Sequence, residues 1–287
     1  MKNQKTINFI FFALVFAAFS INGFAQTAPQ FLKRTTYKSD NLEFGAGGTV
    51  SIIGAPKGSI EIEGWDKNEI EIAAEIEVEG ATEADLSKLT EVNGFVLDEG
   101  FGHVRIISIG THDKDYMKRT AKKFPKNLLG LPFRVDFKIK LPRYCDLNID
   151  GGDGDLKIAN VDGSMKIKYL NSNAQFNLVG GAINATIGGG SVDVTIPTRG
   201  WRGRFADIQL ATGTMNIWLP LSLNAQIDAS ILRTGQIENT LAALKPRSSR
   251  TKFTEKSISA KAGVGGVPLN FTVGDGMLKI SELKKAN

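Results

Sequence analysis

The chain has 287 residues, with 35 Lys and Arg against 30 Asp and Glu (net charge +5), one cysteine and two histidines. One cysteine excludes an intramolecular disulfide, and two histidines exclude a His-rich zinc site. Charged residues at 23% beside 42% hydrophobic ones exclude a disordered chain.

The first 25 residues read as a secretory signal peptide. Lys2 and Lys5 open it, an apolar run of about 13 residues follows from Ile7 to Phe19, and Gly23 and Ala25 supply the small-residue exit. The run is shorter than the roughly 20 residues of a membrane span, so no transmembrane span is expected after cleavage at Ala25. Removing Lys2 and Lys5 leaves a net charge of +3. That surplus is too small to point to nucleic acid in an exported protein. The expected location is the periplasm, the outer-membrane surface or the extracellular space.

Residues 26–45 show little pattern and read as a lead segment into a β-strand-repeat domain over 46–287. Its first part, 46–145, reads as irregular and 146–287 as regular. Thr49–Ile52 alternates, Ala55–Gly58 reads as a turn, and a second alternating run starts at Ser59. From Glu69 to Glu79, Ile70, Ile72, Ala74, Ile76 and Val78 share one face, while Glu69, Glu71, Glu75, Glu77 and Glu79 line the other. Phe133–Leu141 repeats this with Arg134, Asp136, Lys138 and Lys140 outward. Opposite charge predicts that the two runs share a sheet. Thr82 and Asp85 read as a capping box for one short helix over 83–91, and Lys114–Lys126 has room for a further turn or two before Pro125 limits it.

A nine-residue repeat occupies Gly152–Pro197. Gly154, Gly163, Ser172, Gly181 and Gly190 fall in one column, and Leu156, Met165, Ala174, Ile183 and Val192 in the next apolar one. Looser units begin at Gly213, Gly235 and Gly276, and Asn224–Ile231 reads as a return strand. Such a unit is a strand plus a tight corner, and units that cannot bury an apolar face alone bury it by stacking. The predicted fold is all-β, a right-handed β-helix or β-roll solenoid with Leu156, Met165, Ile183 and Val192 in one interior column. An antiparallel meander is the alternative. It wants Asn-Gly hairpin turns, of which Asn93-Gly94 is the one example.

With Gly58-Ser-Ile-Glu-Ile-Glu-Gly-Trp-Asp, Leu141-Pro142 and the glycine-led units from Gly154 to Gly235, the chain resembles the adhesin-like β-strand-repeat family of bacterial envelopes, a domain of unknown function. Autotransporter-adhesin head domains are similar. The resemblance spans roughly residues 46–285. It implies an envelope role, with no catalytic residues to carry over.

Candidate sites are few. Asp150-Gly-Gly-Asp-Gly-Asp155 has Leu156 where a calcium nonapeptide needs aspartate. Asp146, Asp150, Asp153, Asp155 and Asp162 lack a motif that fixes a catalytic pair. Their default reading is turn formation. His103 and His112 have no nucleophile motif, and Cys145 reads as a small buried hydrophobe. Two basic stretches remain. Lys114–Lys126 carries six cations around Tyr116 and Phe124. Arg199, Trp201, Arg202 and Arg204 form a ligand or partner loop for an acidic glycan or lipid head group. The expected function is an exported, non-enzymatic, adhesin-like or structural scaffold with no cofactor and no metal. Its expected partner is an envelope glycan, a lipid head group or a protein. The alternatives are a polysaccharide-active β-helix enzyme and an envelope-sensing or assembly partner.

Overall fold

The computed structural model describes residues 31–197, 201–248 and 252–283. The signal-peptide reading of 1–25 and Arg199 lie outside them. In chain order the strands and helices are β1 (Leu32–Glu43), β2 (Thr49–Ile53), β3 (Ile60–Trp65), β4 (Glu69–Gly80), α1 (Glu83–Val92), β5 (Gly94–Gly100), β6 (His103–Ile109), α2 (Lys114–Thr120) and, after a 3-10 turn at Lys126–Leu128, β7 (Phe133–Pro142). Then come β8 (Asp146–Asp153), β9 (Leu156–Ala159), β10 (Ser164–Asn177), β11 (Gly180–Thr195) and β12 (Arg202–Leu219). The last are β13 (Ala225–Asn239), β14 (Lys245–Pro246), β15 (Ser257–Ala262) and β16 (Val267–Glu282). The protein is all-β in class, one 16-stranded sheet with two helices among the described residues.

The repeat sets the register, at twice its apparent period. β10 lies parallel to β8, β9 and β11 with Leu147, Met165 and Ile183 in one row of neighbours and Leu156, Ala174 and Val192 in another. Neighbours therefore sit 18 residues apart, not nine. The reason is parity. In a strand alternate residues face opposite ways, so an odd unit run straight would turn its apolar set outward. A corner in each unit turns the set back. The expected single column of Leu156, Met165, Ile183 and Val192 is thus two columns. All four residues are buried in the same continuous core.

The glycine column splits with it. Gly190, Gly213, Gly276 and Gly235 are successive neighbours at one corner. Gly213 has a φ of 139°, and a β-carbon there would overlap the Gly190 carbonyl oxygen. Both facts exclude larger residues. Ser172 is the one non-glycine in this row, paired with Gly190.

Chain order and spatial order part company at both ends of the stack. β16 inserts between β12 and β13, so the Gly276 unit, not the Gly235 unit, lies beside Gly213. β13 runs parallel to β16, so Asn224–Ile231 continues the stack, though β15 pairs with it antiparallel. At the other end β2 lies between β6 and β8, and β3 between β7 and β9, all parallel.

Residues 66–145 leave the stack and return to cap it. β4 pairs antiparallel with β7, as the opposite charges predict, with Glu71 opposite Lys140 and Glu77 opposite Arg134. The contacts are looser than the pairing. Lys140 is 3.9 Å from Glu71, and Arg134 turns to Asp136 on its own strand at 2.7 Å. β1, in the segment read as a patternless lead, covers β4, and its Lys33 reaches Glu77 and Glu79 at 3.0 and 2.8 Å. α1 starts at the expected cap, where the Thr82 hydroxyl accepts from the Asp85 amide at 3.1 Å, and buries Leu86 and Leu89. Asn93 makes no hairpin. It ends α1, donating to the Leu89 carbonyl at 2.9 Å and accepting from the Thr111 amide at 3.1 Å. The second helix, α2, forms where the sequence left room for a further turn or two, with Asp113 capping it by accepting from the Asp115 and Tyr116 amides.

Candidate binding site

The basic stretch 114–126 builds an apolar cavity outside the stack. Asp113 starts α2 directly after β6. The chain then turns at Ala121, and Pro125 starts the 3-10 turn that leads into β7. This bent segment encloses about 640 Å³, lined by Met117, Ala121, Phe124, Leu129, Thr111 and His112, with Lys114, Lys118, Lys122 and Lys126 also in its wall. The four lysines recur every fourth residue, which on α2 places Lys114 and Lys118 one turn apart. Lys118 pairs with a carboxylate, Asp115 at 3.4 Å. The His112 ring lies 5.3 Å from that of Phe133. Its loss of water there pulls its pKa below the ordinary value, against the opposing pull of Asp113. An apolar cavity with cationic head groups at its mouth suits one molecule with both a hydrocarbon part and a negative charge.

The second basic segment is elsewhere. Arg202 and Arg204 are exposed at the start of β12, where a register shift between Gly181 and Ala182 leaves Arg204 without an opposing residue. Trp201 packs against the core, and its indole N–H is buried without a partner among the described residues. The strands β6, β2, β8, β10, β11 and β12 are successive neighbours. Five steps of roughly 4.8 Å thus separate the strand before the first basic segment from the strand that carries the second. The two segments form two surfaces, not one.

Three of the five candidate aspartates serve the stack. Asp146 accepts from the Ser164 amide at 2.7 Å, Asp153 from Asn171 at 2.7 Å and Asp155 from Asn173 at 3.0 Å, each across one 18-residue step. No group of three or more His, Cys, Asp or Glu able to hold a metal occurs among the described residues. Cys145 is buried, and that burial, with Asp146 beside it, pushes its thiol up to about 12. The Tyr169 hydroxyl donates to the Gly58 carbonyl at 3.2 Å, and burial pushes its pKa up as well. The lysine-lined cavity was half legible. The cations and Phe124 were visible in the sequence, whereas Met117, Ala121 and Leu129 become its wall through the bend at Ala121.

No family model and no curated protein matches the chain. Solved structures do resemble it. A "putative cell adhesion protein" of Clostridium sporogenes is 15% identical with a TM-score of 0.46, over 87% of this chain and all of the other. A "putative adhesin" of Bacteroides fragilis is 10% identical with a TM-score of 0.31, over 86% and 97%. A "putative lipid binding protein" of Parabacteroides distasonis is 10% identical with a TM-score of 0.26, over 86% and 97%. At these values function must be argued from the residues themselves.

Proposed function

We propose that the protein is an exported, non-enzymatic, adhesin-like scaffold of the cell envelope, wound as a right-handed β-helix or β-roll, which holds an anionic amphiphile such as a phospholipid in the cavity beside α2. One observation carries this reading: a parallel stack joined to an inserted arm whose apolar cavity is lined by four lysines. The signal-like first 25 residues support export. The aspartates bound into the stack favour a scaffold over a polysaccharide-active enzyme. Arg202 and Arg204 form a second contact surface for an acidic partner. Their exposure at the register shift favours it.

Co-sedimentation of the purified full chain with vesicles tests the reading. Phosphatidylglycerol vesicles should carry the protein down and phosphatidylcholine vesicles should not. Replacing Lys114, Lys118, Lys122 and Lys126 together by Gln should abolish the difference. Equal sedimentation of the parent and the fourfold variant would refute the site.

A further inference from the structure

A third surface, on the stack itself, gathers a tryptophan and polar side chains. Trp218 lies on the outward side of β12, between the inward Ile217 and Leu219. Its neighbours across the strands are Thr195 on β11 and Ser281 on β16, and Thr195 is followed by Asn177 and then Ala159. Thr240 continues the row beyond Ser281, to whose hydroxyl it bonds at 3.2 Å. Six positions at roughly 4.8 Å per step make a track about 24 Å long. Trp218 and Thr195 are shared walls of two open cavities along it, of about 350 Å³ toward Lys157 and about 800 Å³ toward Glu282. The indole is a ridge in a long shallow groove.

The polar groups beside that ridge divide into committed and free. Lys157 is held by Glu61 at 2.6 Å, Asp193 accepts from Asn216 at 2.8 Å, and Thr240 bonds the Ile280 carbonyl at 3.2 Å. Gln175 and Asn177 are exposed, and neither they nor Thr195 spend a side-chain hydrogen bond on another described residue. Two carboxamides and a hydroxyl each donate and accept, which is the pattern of sugar hydroxyls. The flat indole offers the apolar face against which the C–H side of a pyranose ring packs.

The competing ligands fit less well. A peptide strand has no place to add, because β11, β12 and β16 are paired on both edges. A polyanion would meet Asp193 and Glu282 in the groove walls. We propose that the Trp218 groove binds a neutral oligosaccharide chain, with Trp218 as the stacking platform and Gln175, Asn177 and Thr195 reading its hydroxyls. This site is independent of the lysine-lined cavity and stands or falls without it.

Titration calorimetry with three neutral hexasaccharides (cellohexaose, maltohexaose and the N-acetylglucosamine hexamer) tests the proposal on the full chain. At least one should bind with sub-millimolar affinity and change tryptophan emission. Trp218→Ala should weaken it at least about tenfold, the effect of losing one stacking contact. Asn177→Ala, at an exposed position that leaves the stack intact, should weaken it several-fold. The fourfold lysine variant should bind the sugar unchanged. No binding by any of the three up to about 5 mM, unchanged affinity in both groove variants, or tighter binding of polygalacturonate than of every neutral chain would overturn the assignment.

Discussion

Residues 146–282 and the strands β1, β4 and β7 belong to one sheet but are paired differently. In the first, neighbours run mostly parallel, corners close on backbone at Gly213 and Gly276, and side chains repeat at the same depth from step to step. Asn173 both donates to Asp155 at 3.0 Å and accepts from Ser191 at 2.9 Å. In the second, β1, β4 and β7 run antiparallel, and charged side chains cross between them, as Lys33 does to Glu77 and Glu79. The stack depends on an identical backbone path at each step and leaves little room for side-chain variation at its corners. The arm depends on alternation alone, so it can carry helices, a bend and a cavity. The repeated backbone path and the lysine-lined cavity are divided between them.

The sharpest way to break the contrast is at a corner. Gly213→Ala should cost about 2–3 kcal/mol, from the left-handed backbone plus overlap with the Gly190 carbonyl. Gly130→Ala in the arm, where a β-carbon would meet nothing, should be near neutral. Urea denaturation of both variants gives the comparison, and equal losses would mean that the corner does not confine the chain.

Where arm and stack meet, the Asp136 carboxylate accepts from the Ser59 amide and hydroxyl at 2.7 and 2.6 Å and from Arg134 at 2.7 Å. Burial raises its pKa, but these bonds outweigh burial and hold it below the ordinary value. A carboxylate depressed in the folded state stabilises fully above its unfolded pKa, about 3.9, and loses that contribution as pH falls through the lower folded value. Asp136→Asn should therefore cost about 1.5–3 kcal/mol at neutral pH and much less well below pH 3. Stability measured from pH 7 to pH 2 should show the two proteins converge, and a gap that persists in acid would contradict the assignment.

Smaller effects separate a hydrogen-bond ladder in the stack from an exposed ion pair outside it by their response to salt. Asn173→Ala should cost about 1 kcal/mol whatever the ionic strength, since its partners join a local hydrogen-bond ladder. Lys33→Ala should cost less than Asn173→Ala, and less again at 1 M salt, where exposed ion pairs are screened. Thermal melts in low and high salt distinguish these outcomes.

How far the sequence could be read follows from the same physics. Glu69–Glu79 and Phe133–Leu141 were legible as paired strands because one face is buried and the other is charged. The nine-residue unit was legible, but its true step of 18 was not, because both interior columns are apolar and look alike along the chain. β1 was invisible because none of its twelve residues is buried, so it carries no alternation. The insertion of β16 between β12 and β13 reverses spatial order without leaving a mark in a repeat whose units resemble one another. Trp218 left a signal that passed unread: it makes Ile217-Trp218-Leu219 three apolar residues running, with the aromatic one facing out.

The 18-residue step is tested most directly by cross-linking. Gln175 lies beside Asp193 on neighbouring strands, and Lys166 lies beside Asn184. Strands about 4.8 Å apart bring paired positions within disulfide range. Cysteines at 175 and 193, or at 166 and 184, should form an intramolecular disulfide in the folded protein under mild oxidation, with Cys145 buried and silent. Cysteines at 175 and 184, nine residues apart, should not. A cross-link between 175 and 184 with none between 175 and 193 would contradict the stack.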